Sequence, residues 1–172
     1  SSNSNTKTEV SVSTTTAGTV VTWTESGTEI VGQLYNASHV AVGGNFRVNT
    51  TTSGSQTQSS VGMDGTGAFV VSWTSTQGGT SDIYAQRFSN AGAKVGSEFL
   101  VNNTTAYDQT ASSVAVDGGG AFVIAWQSNL QDGSGTGIYM RQYQSDGFAG
   151  LYDQRVNTTT TNAQSTPSVA VN

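Results

Sequence analysis

One pattern of about 50 residues occurs three times in this sequence, and it constrains the fold more than any other feature. The run AFVVSW at residues 68–73 matches AFVIAW at 121–126, and GTVVTW at 18–23 is a weaker third copy. A second block aligns without a gap at residues 30–49, 83–102 and 138–157. Only the segment between the two blocks varies in length. Fixed elements joined by one variable loop indicate a structural repeat.

Each repeat predicts four short β-strands. The first strand in the third repeat is SVAV at residues 113–116, and it ends at Asp117-Gly118, as its counterpart ends at Asp64-Gly65. Asp-Gly between apolar runs predicts a tight hairpin with a mirror-type turn, because such turns need positive φ. The second strand is the run that ends in Trp, and the third and fourth strands are progressively more polar.

The second strand is apolar on both faces, which indicates that both faces are covered. Blades stacked face to face would cover them, as in a propeller, where inner strands are enclosed and outer strands meet solvent. We therefore predict an all-β fold of three four-stranded antiparallel blade-like repeats of the propeller type, plus an orphan C-terminal strand. A β-sandwich and a β-solenoid remain the alternatives.

The repeat pattern also predicts the organisation of the chain. Residues 1–8 are expected to be a flexible polar leader, since the chain starts without Met and without an apolar signal-like core. The segments that follow are repeat 1 (9–57), repeat 2 (58–110), repeat 3 (111–165) and the first strand of an incomplete fourth repeat (166–172).

Composition excludes several classes of function. The formal net charge is −5, and only six Lys and Arg are present, so the chain lacks the basic surface that nucleic acids require. Cysteine is absent, which excludes disulfides and Cys-ligated metals. No apolar run approaches the length of a membrane span. We expect no nucleic-acid partner, no membrane span and no cofactor.

The combined motifs DGxGAFVVSW, DIYAQRF, FLVN and Q…SVAV resemble the repeats of very large secreted bacterial proteins. Those proteins are surface adhesins and proteins that also carry calcium-binding RTX tracts. The similarity covers nearly the whole chain after residue 8, and it is weak where the first repeat has TTTAG in place of Asp-Gly. The resemblance implies an extracellular or cell-surface location and a structural or adhesive role, with no catalytic motif to transfer.

Asn-x-Thr or Asn-x-Ser sequons recur at equivalent positions. The candidate glycosylation sites are Asn36, Asn49, Asn102, Asn103 and Asn157. The simpler interpretation is that Asn-Thr-Thr leaves the fourth strand and turns toward the next blade, with its side chains bonded to local backbone. A sequon exposed at a blade junction is compatible with both roles.

The aromatic and ionisable residues suggest structural roles. Trp23, Trp73 and Trp126 end buried strands, so core packing is favoured over stacking on sugar rings. His39 is the sole histidine and has no repeated partner. The acids are isolated and no nucleophile-base pair is present, so we predict neither a catalytic residue nor a metal site, and no enzyme.

The C-terminal segment Ser168, Val169, Ala170 and Val171 repeats a strand that begins a blade. An isolated apolar strand leaves its backbone groups unpaired and invites another chain. One interpretation is that the sequence is cut from a longer array, so that this strand has no role of its own. The other, which we favour, is a donor strand that pairs with a second copy, near residues 9–13, and builds a head-to-tail filament or surface appendage. The alternative function is a carbohydrate-binding, lectin-like adhesin module with glycan partners.

Overall fold

The computed structural model describes residues 6–172, and that part of the chain contains strands, turns and loops but no helix. Its strands are β1 (Lys7–Thr15), β2 (Gly18–Glu25), β3 (Glu29–Asn36), β4 (Ala41–Arg47), β5 (Gln56–Met63), β6 (Phe69–Ser75), β7 (Asp82–Phe88), β8 (Lys94–Leu100), β9 (Gln109–Val116), β10 (Phe122–Asn129), β11 (Thr136–Tyr143) and β12 (Gln154–Arg155). The described residues therefore include no helix that is long and apolar enough to cross a membrane.

The strands form three four-stranded sheets, each an antiparallel meander in chain order. We call them the first blade (β1–β4), the second blade (β5–β8) and the third blade (β9–β12). The predicted all-β class of three four-stranded antiparallel blade-like repeats is confirmed. The first blade begins at Lys7, within the segment that was expected to be a flexible leader. Residues 1–5 of that leader lie outside the described part of the chain.

Burial along the second strand of each blade follows the position of the blade in the stack. Every residue of β6 is buried, because the second blade is covered on both sides. Buried and half-buried residues alternate along β2, since the first blade has a neighbour on one side only. In the central blade, both faces of the second strand are thus covered, as the sequence predicted.

The hydrophobic core lies between the blades. One buried cluster joins residues of the first and second blades, among them Val20, Ile30, Phe69 and Trp73. A second cluster joins the second and third blades through residues such as Val70, Ile83, Ile124 and Trp126. Each interface buries apolar side chains from both of its blades, so the stacking of neighbouring blades supplies the hydrophobic stabilisation.

Each inner strand carries a β-bulge at the same place. The register shifts lie between Thr8 and Ser11 in β1, between Thr57 and Ser60 in β5, and at the corresponding point of β9. The first bulge residue has a left-handed backbone in all three strands, at Glu9, Gln58 and Ala111. A bulge re-aims a backbone group away from the ladder, and here it directs an amide toward the preceding blade.

In the second and third blades, the amide of the bulge residue is bound by a side chain of the preceding blade. The Gln58 amide donates to Oε2 of Glu9 at 2.7 Å, and the Ala111 amide donates to Oε1 of Gln58 at 3.2 Å. Ala111 has no side-chain oxygen to continue the series. In the third blade Gln127 of β10 supplies the oxygen instead, and it accepts the Thr166 amide at 3.2 Å.

The C-terminal segment packs on its own chain, so the expected donor strand is wrong. The Val169 amide donates to Oγ of Ser113 at 3.2 Å, as Val114 donates to Ser60 and Val61 donates to Ser11 in the earlier blades. Thr166 also has the left-handed backbone of the other bulge residues. Ser168, Val169, Ala170 and Val171 therefore lie against β9, where the preceding blades carry the inner strand of the next blade.

The Asp-Gly hairpins differ from the mirror-type turn that was predicted. In the second blade Gly67, not Gly65, has positive φ, and its amide donates to the Asp64 carbonyl at 3.1 Å. The Asp64 carboxylate accepts the amides of Thr66 and Ala68, and Asp117 does the same in the third blade. The aspartate is thus the side-chain cap of a longer turn, because its carboxylate satisfies two loop amides.

The fourth strand of the third blade is reduced to Gln154–Arg155. An isolated bridge joins Ala149 to Tyr143, and the residues between the two pairings leave the ladder. Arg141 stands where the first two blades have Gln33 and Gln86, and its guanidinium donates to the Gly150 carbonyl at 2.9 Å. This side chain takes over backbone pairing that the interrupted strand has lost.

Candidate functional site

An open groove with a volume of about 520 Å³ lies on the third blade, at the end where β11 turns toward β12. Its lining residues are Asp117, Ala121, Phe122, Val123, Gln142, Tyr143, Gln144, Phe148, Ala149, Gly150, Gln154, Val171 and Asn172. Apolar side chains and side-chain amides both line it. This mixture is typical of small-molecule sites, in which a few polar groups fix the orientation of a ligand.

The corresponding surface of the second blade is largely covered by the third blade. There Arg87 donates to the carbonyl oxygens of Ser145 and Asp146, both at 2.5 Å, and so holds the turn of the third blade. A cavity of about 180 Å³ remains between the two blades. Gln142 occupies the place of Arg87 in the third blade, and it is exposed in the groove.

At a second position in the groove, an amide again stands where the other blades have a side chain that contacts the next blade. Phe46 of β4 contacts Phe69 and Phe88 of the second blade, with ring centroids 6.1 and 5.6 Å apart. Phe99 of β8 contacts the third blade in the same way. The aligned residue of the third blade is Gln154, which lines the groove. The position that carries a junction-filling Phe in the first two blades therefore carries an amide, Gln154, in the third blade.

The groove also has an exposed aromatic ring. Phe148 is 65% exposed and stands where the other repeats have Val40 and Ala93. Its backbone is fixed, because its amide donates to the Asp146 carboxylate at 2.8 Å and its carbonyl accepts from Gln144 at 2.9 Å. A held, solvent-facing ring beside free amides can bind the apolar face of a polar ligand.

Tyr143 forms the floor of the groove. Its ring stacks on Phe122 with centroids 4.5 Å apart, and the side chain is buried. Burial strongly raises the pKa of its hydroxyl, so the phenol stays neutral at physiological pH. Its hydroxyl has no hydrogen-bond partner among residues 6–172. Tyr143 is therefore a buried aromatic residue of the groove lining, packed against Phe122.

The repeated Asn residues are structural. The Oδ1 atoms of Asn49, Asn102 and Asn157 accept the amides of the three aligned isoleucines at 2.7–2.8 Å. Each Nδ2 donates to the carbonyl two residues on, at Thr51, Thr104 and Thr159. The interpretation of Asn-Thr-Thr as a connection bonded to local backbone describes this geometry.

The expected exposure of the sequons is wrong at two positions. Asn49 and Asn102 are 0% and 1% exposed, so the folded domain has no room for a glycan on either nitrogen. Asn157 is half-buried. Asn36 is exposed in a turn, where its Oδ1 accepts the amides of Ser38 and Val40. Asn103 is exposed as well, and glycosylation of Asn36 or Asn103 stays a prediction.

The three tryptophans differ in burial. Trp73 and Trp126 are 0% exposed, whereas Trp23 is half-buried because the first blade has an open side. The Trp73 Nε1 donates to Oε1 of the buried Gln56 at 2.8 Å. In the first blade Lys7 occupies the place of Gln56. The Trp23 Nε1 has no partner among residues 6–172.

A carboxylate from each later blade binds the Asn-Thr-Thr loop of the blade before it. Glu98 of β8 accepts the amides of Thr50 and Thr51 at 2.5 and 3.1 Å, and it also accepts the Thr51 hydroxyl. Asp153 accepts the amides of Asn103 and Thr104 at 3.0 and 3.1 Å. These two contacts fasten the outer edges of neighbouring blades, because charge-assisted hydrogen bonds are stronger than neutral ones.

No cluster of three or more His, Asp or Glu side chains that could hold a metal occurs among residues 6–172. His39 lies in the turn between β3 and β4, where it has a left-handed backbone. Its amide donates to the Asn36 carbonyl at 2.9 Å, so this residue has a role in the turn.

No protein-family model matches the sequence, and no curated protein matches it. Among solved structures, the chain is similar to an endo-arabinase from Bacteroides thetaiotaomicron, with a TM-score of 0.56 and 14% identity. The match covers 87% of this chain and 61% of that chain. The likeness shows the fold. It is propeller-like, in agreement with the predicted architecture.

The predicted filament-forming structural role is wrong. The expectation rested on a C-terminal strand without a partner, and that segment packs on β9 of its own chain. A solved structure that the chain resembles is that of an endo-arabinase, a glycoside hydrolase, and not of a filament subunit. The faces of the third blade also differ from a blade junction, because Gln154 replaces the Phe that packs against the next blade.

Sequence analysis missed the groove, although one signal for it was present. In the aligned blocks Phe148, Tyr152 and Gln154 depart from the residue types of the first two repeats. Phe148 and Tyr152 are aromatic where those repeats have small or aliphatic residues, and Gln154 is polar where they have Phe. Which of these side chains would face a common groove depends on the packing of the blades.

Proposed function

We propose that this chain is a carbohydrate-binding module whose binding site is the groove on the third blade. The observation that carries the proposal is the exchange at Gln142 and Gln154. In the first two blades the residues aligned with Gln142 are Leu34, which packs in the core between the first and second blades, and Arg87, which donates to the third blade. The residues aligned with Gln154 are Phe46 and Phe99, which contact the next blade. In the third blade both positions present amides, which suit a ligand rich in hydroxyl groups.

The other groups of the groove support a sugar ligand. Phe148 offers a ring face to the C–H face of a sugar, and the exposed Gln144 adds a third amide. One carboxylate oxygen of Asp117 is held by turn amides, which fixes the orientation of the carboxylate at the edge of the groove. Aromatic and amide groups on a preformed surface bind sugars with little loss of side-chain freedom.

The module belongs to an extracellular or cell-surface adhesive protein in this proposal, as the resemblance to secreted bacterial repeat proteins implies. One similar solved structure is that of an endo-arabinase, so arabinan is the first ligand to try. The chain corresponds to 61% of that protein, and we propose binding without hydrolysis.

Affinity electrophoresis in gels that contain arabinan or other neutral plant and bacterial polysaccharides tests the proposal. We expect retardation by at least one polysaccharide, and its loss in Phe148→Ala. Tyr107→Ala is the matched control, because Tyr107 is also an exposed aromatic but precedes the opposite end of β9. Migration that no polysaccharide changes, or equal loss in both variants, would overturn the proposal.

A second variant directly tests the presence of Gln in place of Phe at position 154. Gln154→Phe restores the residue type that Phe46 and Phe99 represent in the other blades. We expect this variant to fold and to lose polysaccharide binding, because the new ring removes the amide and fills the groove. A reducing-sugar assay on arabinan, run in parallel, separates binding from hydrolysis. Unchanged retardation of the Gln154→Phe variant would place the sugar elsewhere.

A further inference from the structure

We propose that the cavity between the second and third blades binds the terminal sugar ring of a glycan, and that Asp64 accepts a hydroxyl of that ring. This inference rests on the proposed carbohydrate-binding function and adds a second, smaller site. Most residues that line the cavity align with residues that line the third-blade groove. The aligned pairs include Asp64 and Asp117, Phe69 and Phe122, and Arg87 and Gln142.

Asp64 offers an unused acceptor inside the cavity. The residue is 8% exposed, and its Oδ1 accepts the Thr66 amide at 2.8 Å and the Ala68 amide at 3.1 Å. Its Oδ2 accepts no hydrogen bond from any of residues 6–172. This oxygen faces the third blade, since a β-carbon added to Gly120 would lie 3.5 Å from it. A buried carboxylate oxygen without a donor favours a ligand that brings an O–H or N–H group.

The charges that line the cavity favour a neutral ligand. Arg87 lines the cavity together with Asp64, but the two side chains form no ion pair in the described part of the chain. The guanidinium donates instead to the carbonyl oxygens of Ser145 and Asp146, both at 2.5 Å. A cationic ligand would meet Arg87 and an anionic ligand would meet Asp64, so each would face a like charge. A hydroxyl suits both side chains, because it can donate to a carboxylate and accept from a guanidinium.

The size and the apolar lining of the cavity fit one sugar ring. Its volume is about 180 Å³, below the range of about 300–1,000 Å³ that drug-sized ligands occupy. The rings of Phe69 and Phe88 stack 4.7 Å apart, and both line the cavity with Val116. These apolar groups can contact the C–H face of a sugar. Val95 also lines the cavity and is 40% exposed, so the rest of a glycan can leave on that side.

The junction between the first and second blades lacks this polar pair. There Leu34 takes the place of Arg87, and Thr15 takes the place of Asp64. Leu34 is buried in the core between those blades, whereas Arg87 stays half-buried beside the cavity. Two blades therefore stack without the carboxylate and the guanidinium, which favours a role in binding for the pair at the second junction.

The test is a titration of the ¹⁵N-labelled protein with the methyl glycosides of L-arabinose, D-galactose, D-glucose and D-mannose. Gly119 and Gly120 line the cavity, and we expect saturable amide shifts at both residues with at least one of these sugars. Asp64→Asn should weaken this binding by about tenfold, because the amide keeps an oxygen for the turn but replaces Oδ2 by a donor.

Asp132→Asn is the matched control. Asp132 also caps a turn, by accepting the Ser134 amide at 3.2 Å, and it lines neither the cavity nor the groove. This variant should bind the sugar like the unchanged protein. Circular dichroism of both variants checks that they are folded. Equal sugar affinity of Asp64→Asn and Asp132→Asn would overturn the inference.

The remaining outcomes separate the two sites. Amide shifts confined to groove residues such as Gln144 would overturn the inference and leave the proposed function standing. Shifts at Gly119 and Gly120 that persist in Phe148→Ala, in a protein that no polysaccharide retards, would support the cavity site and end the groove proposal. Tighter binding of L-alanine than of every sugar would overturn the inference in favour of a zwitterionic ligand. The absence of any saturable shift at Gly119 and Gly120 would overturn it as well.

Discussion

Single residues of this fold combine packing between blades with hydrogen bonds inside one blade. Trp73 is fully buried, and its Nε1 donates to Gln56 at 2.8 Å, so the same side chain fills the core and satisfies a buried amide. Trp23 occupies the aligned place in the first blade with less burial and no partner for its Nε1 among the described residues. Identical residues in aligned positions therefore contribute differently to stability, according to what covers them.

Replacement of Trp73 by Ala should lower the free energy of unfolding by about 3–5 kcal/mol, because a large cavity forms and Gln56 loses its donor. Trp23→Ala should cost clearly less, since Trp23 is already half exposed. Urea denaturation followed by far-ultraviolet circular dichroism measures both variants. Equal losses would contradict the difference in burial.

The raised pKa of the Asp82 carboxyl predicts that the stability of the fold depends on pH. Burial raises the pKa of its carboxyl above the ordinary 3.8, while the Asn102 amide opposes the shift by donating to the carboxylate at 2.7 Å. Because the folded-state pKa exceeds the unfolded one, the folded protein binds a proton first as the pH falls. The contribution of Asp82 to stability is therefore most favourable below pH 3.8 and is lost as the pH rises through the raised pKa.

Asp82→Asn should remove this dependence, and its stability relative to the unchanged protein should be greatest near neutral pH. The measurement is the free energy of unfolding of both proteins from acidic to neutral pH. A difference between the two proteins that stays constant with pH would show that Asp82 does not titrate in this way.

At the scale of elements, the bulge amides show how the blades are connected. Glu9 and Gln58 accept the amide of the next inner strand, while Ala111 cannot, and Gln127 of β10 does so in its place. The acceptor has moved from one strand to the adjacent strand. The hydrogen bond to the next segment of the chain is kept, although the residue that makes it has changed.

Gln127→Ala should release the C-terminal segment from β9. We expect hydrogen exchange at Thr166 and Val169 to become faster by about tenfold, because Thr166 loses its acceptor. Gln127→Glu is the matched control, since it keeps an oxygen at the same place. Exchange that is equally slow in Gln127→Ala would show that the Ser113 contact alone holds the segment.

The sequence predicted the strands well because their signal is local. The runs that end in Trp, and the blocks that follow them, mark four strands in each repeat. The bulges could not be predicted, since Glu9, Gln58 and Ala111 share no residue type. The groove could not be predicted from the sequence alone. Gln142 and Gln154 differ visibly from the aligned residues of the other repeats, but only the twist and stacking of the third blade bring them to a common face.

At the scale of the molecule, the cores belong to pairs of blades. One cluster lies between the first and second blades, and the other lies between the second and third. A single blade can bury little apolar surface by itself, because most of its core residues pack against a neighbour. The molecule is thus closer to a linear array of interfaces than to one globular core.

Fragments test this view. A fragment of residues 6–105 keeps the first interface and should fold, whereas residues 54–105, a single blade, should remain unfolded. Amide shift dispersion and circular dichroism report on both, and residues 6–172 serve as the reference. A folded single blade would show that the stabilisation lies within the sheets.

The bonds between blades have one further consequence, which concerns how such a chain can change during evolution. At each inner junction a serine hydroxyl accepts a main-chain amide, as Ser11 does from Val61 and Ser60 from Val114. At the outer edge Glu98 likewise binds main-chain amides. Because one partner in each bond is backbone, its identity does not depend on a particular side chain. A duplicated or recombined repeat therefore already has the backbone amides that donate in these bonds. Only the accepting side chain of the neighbouring repeat has to be acquired by substitution.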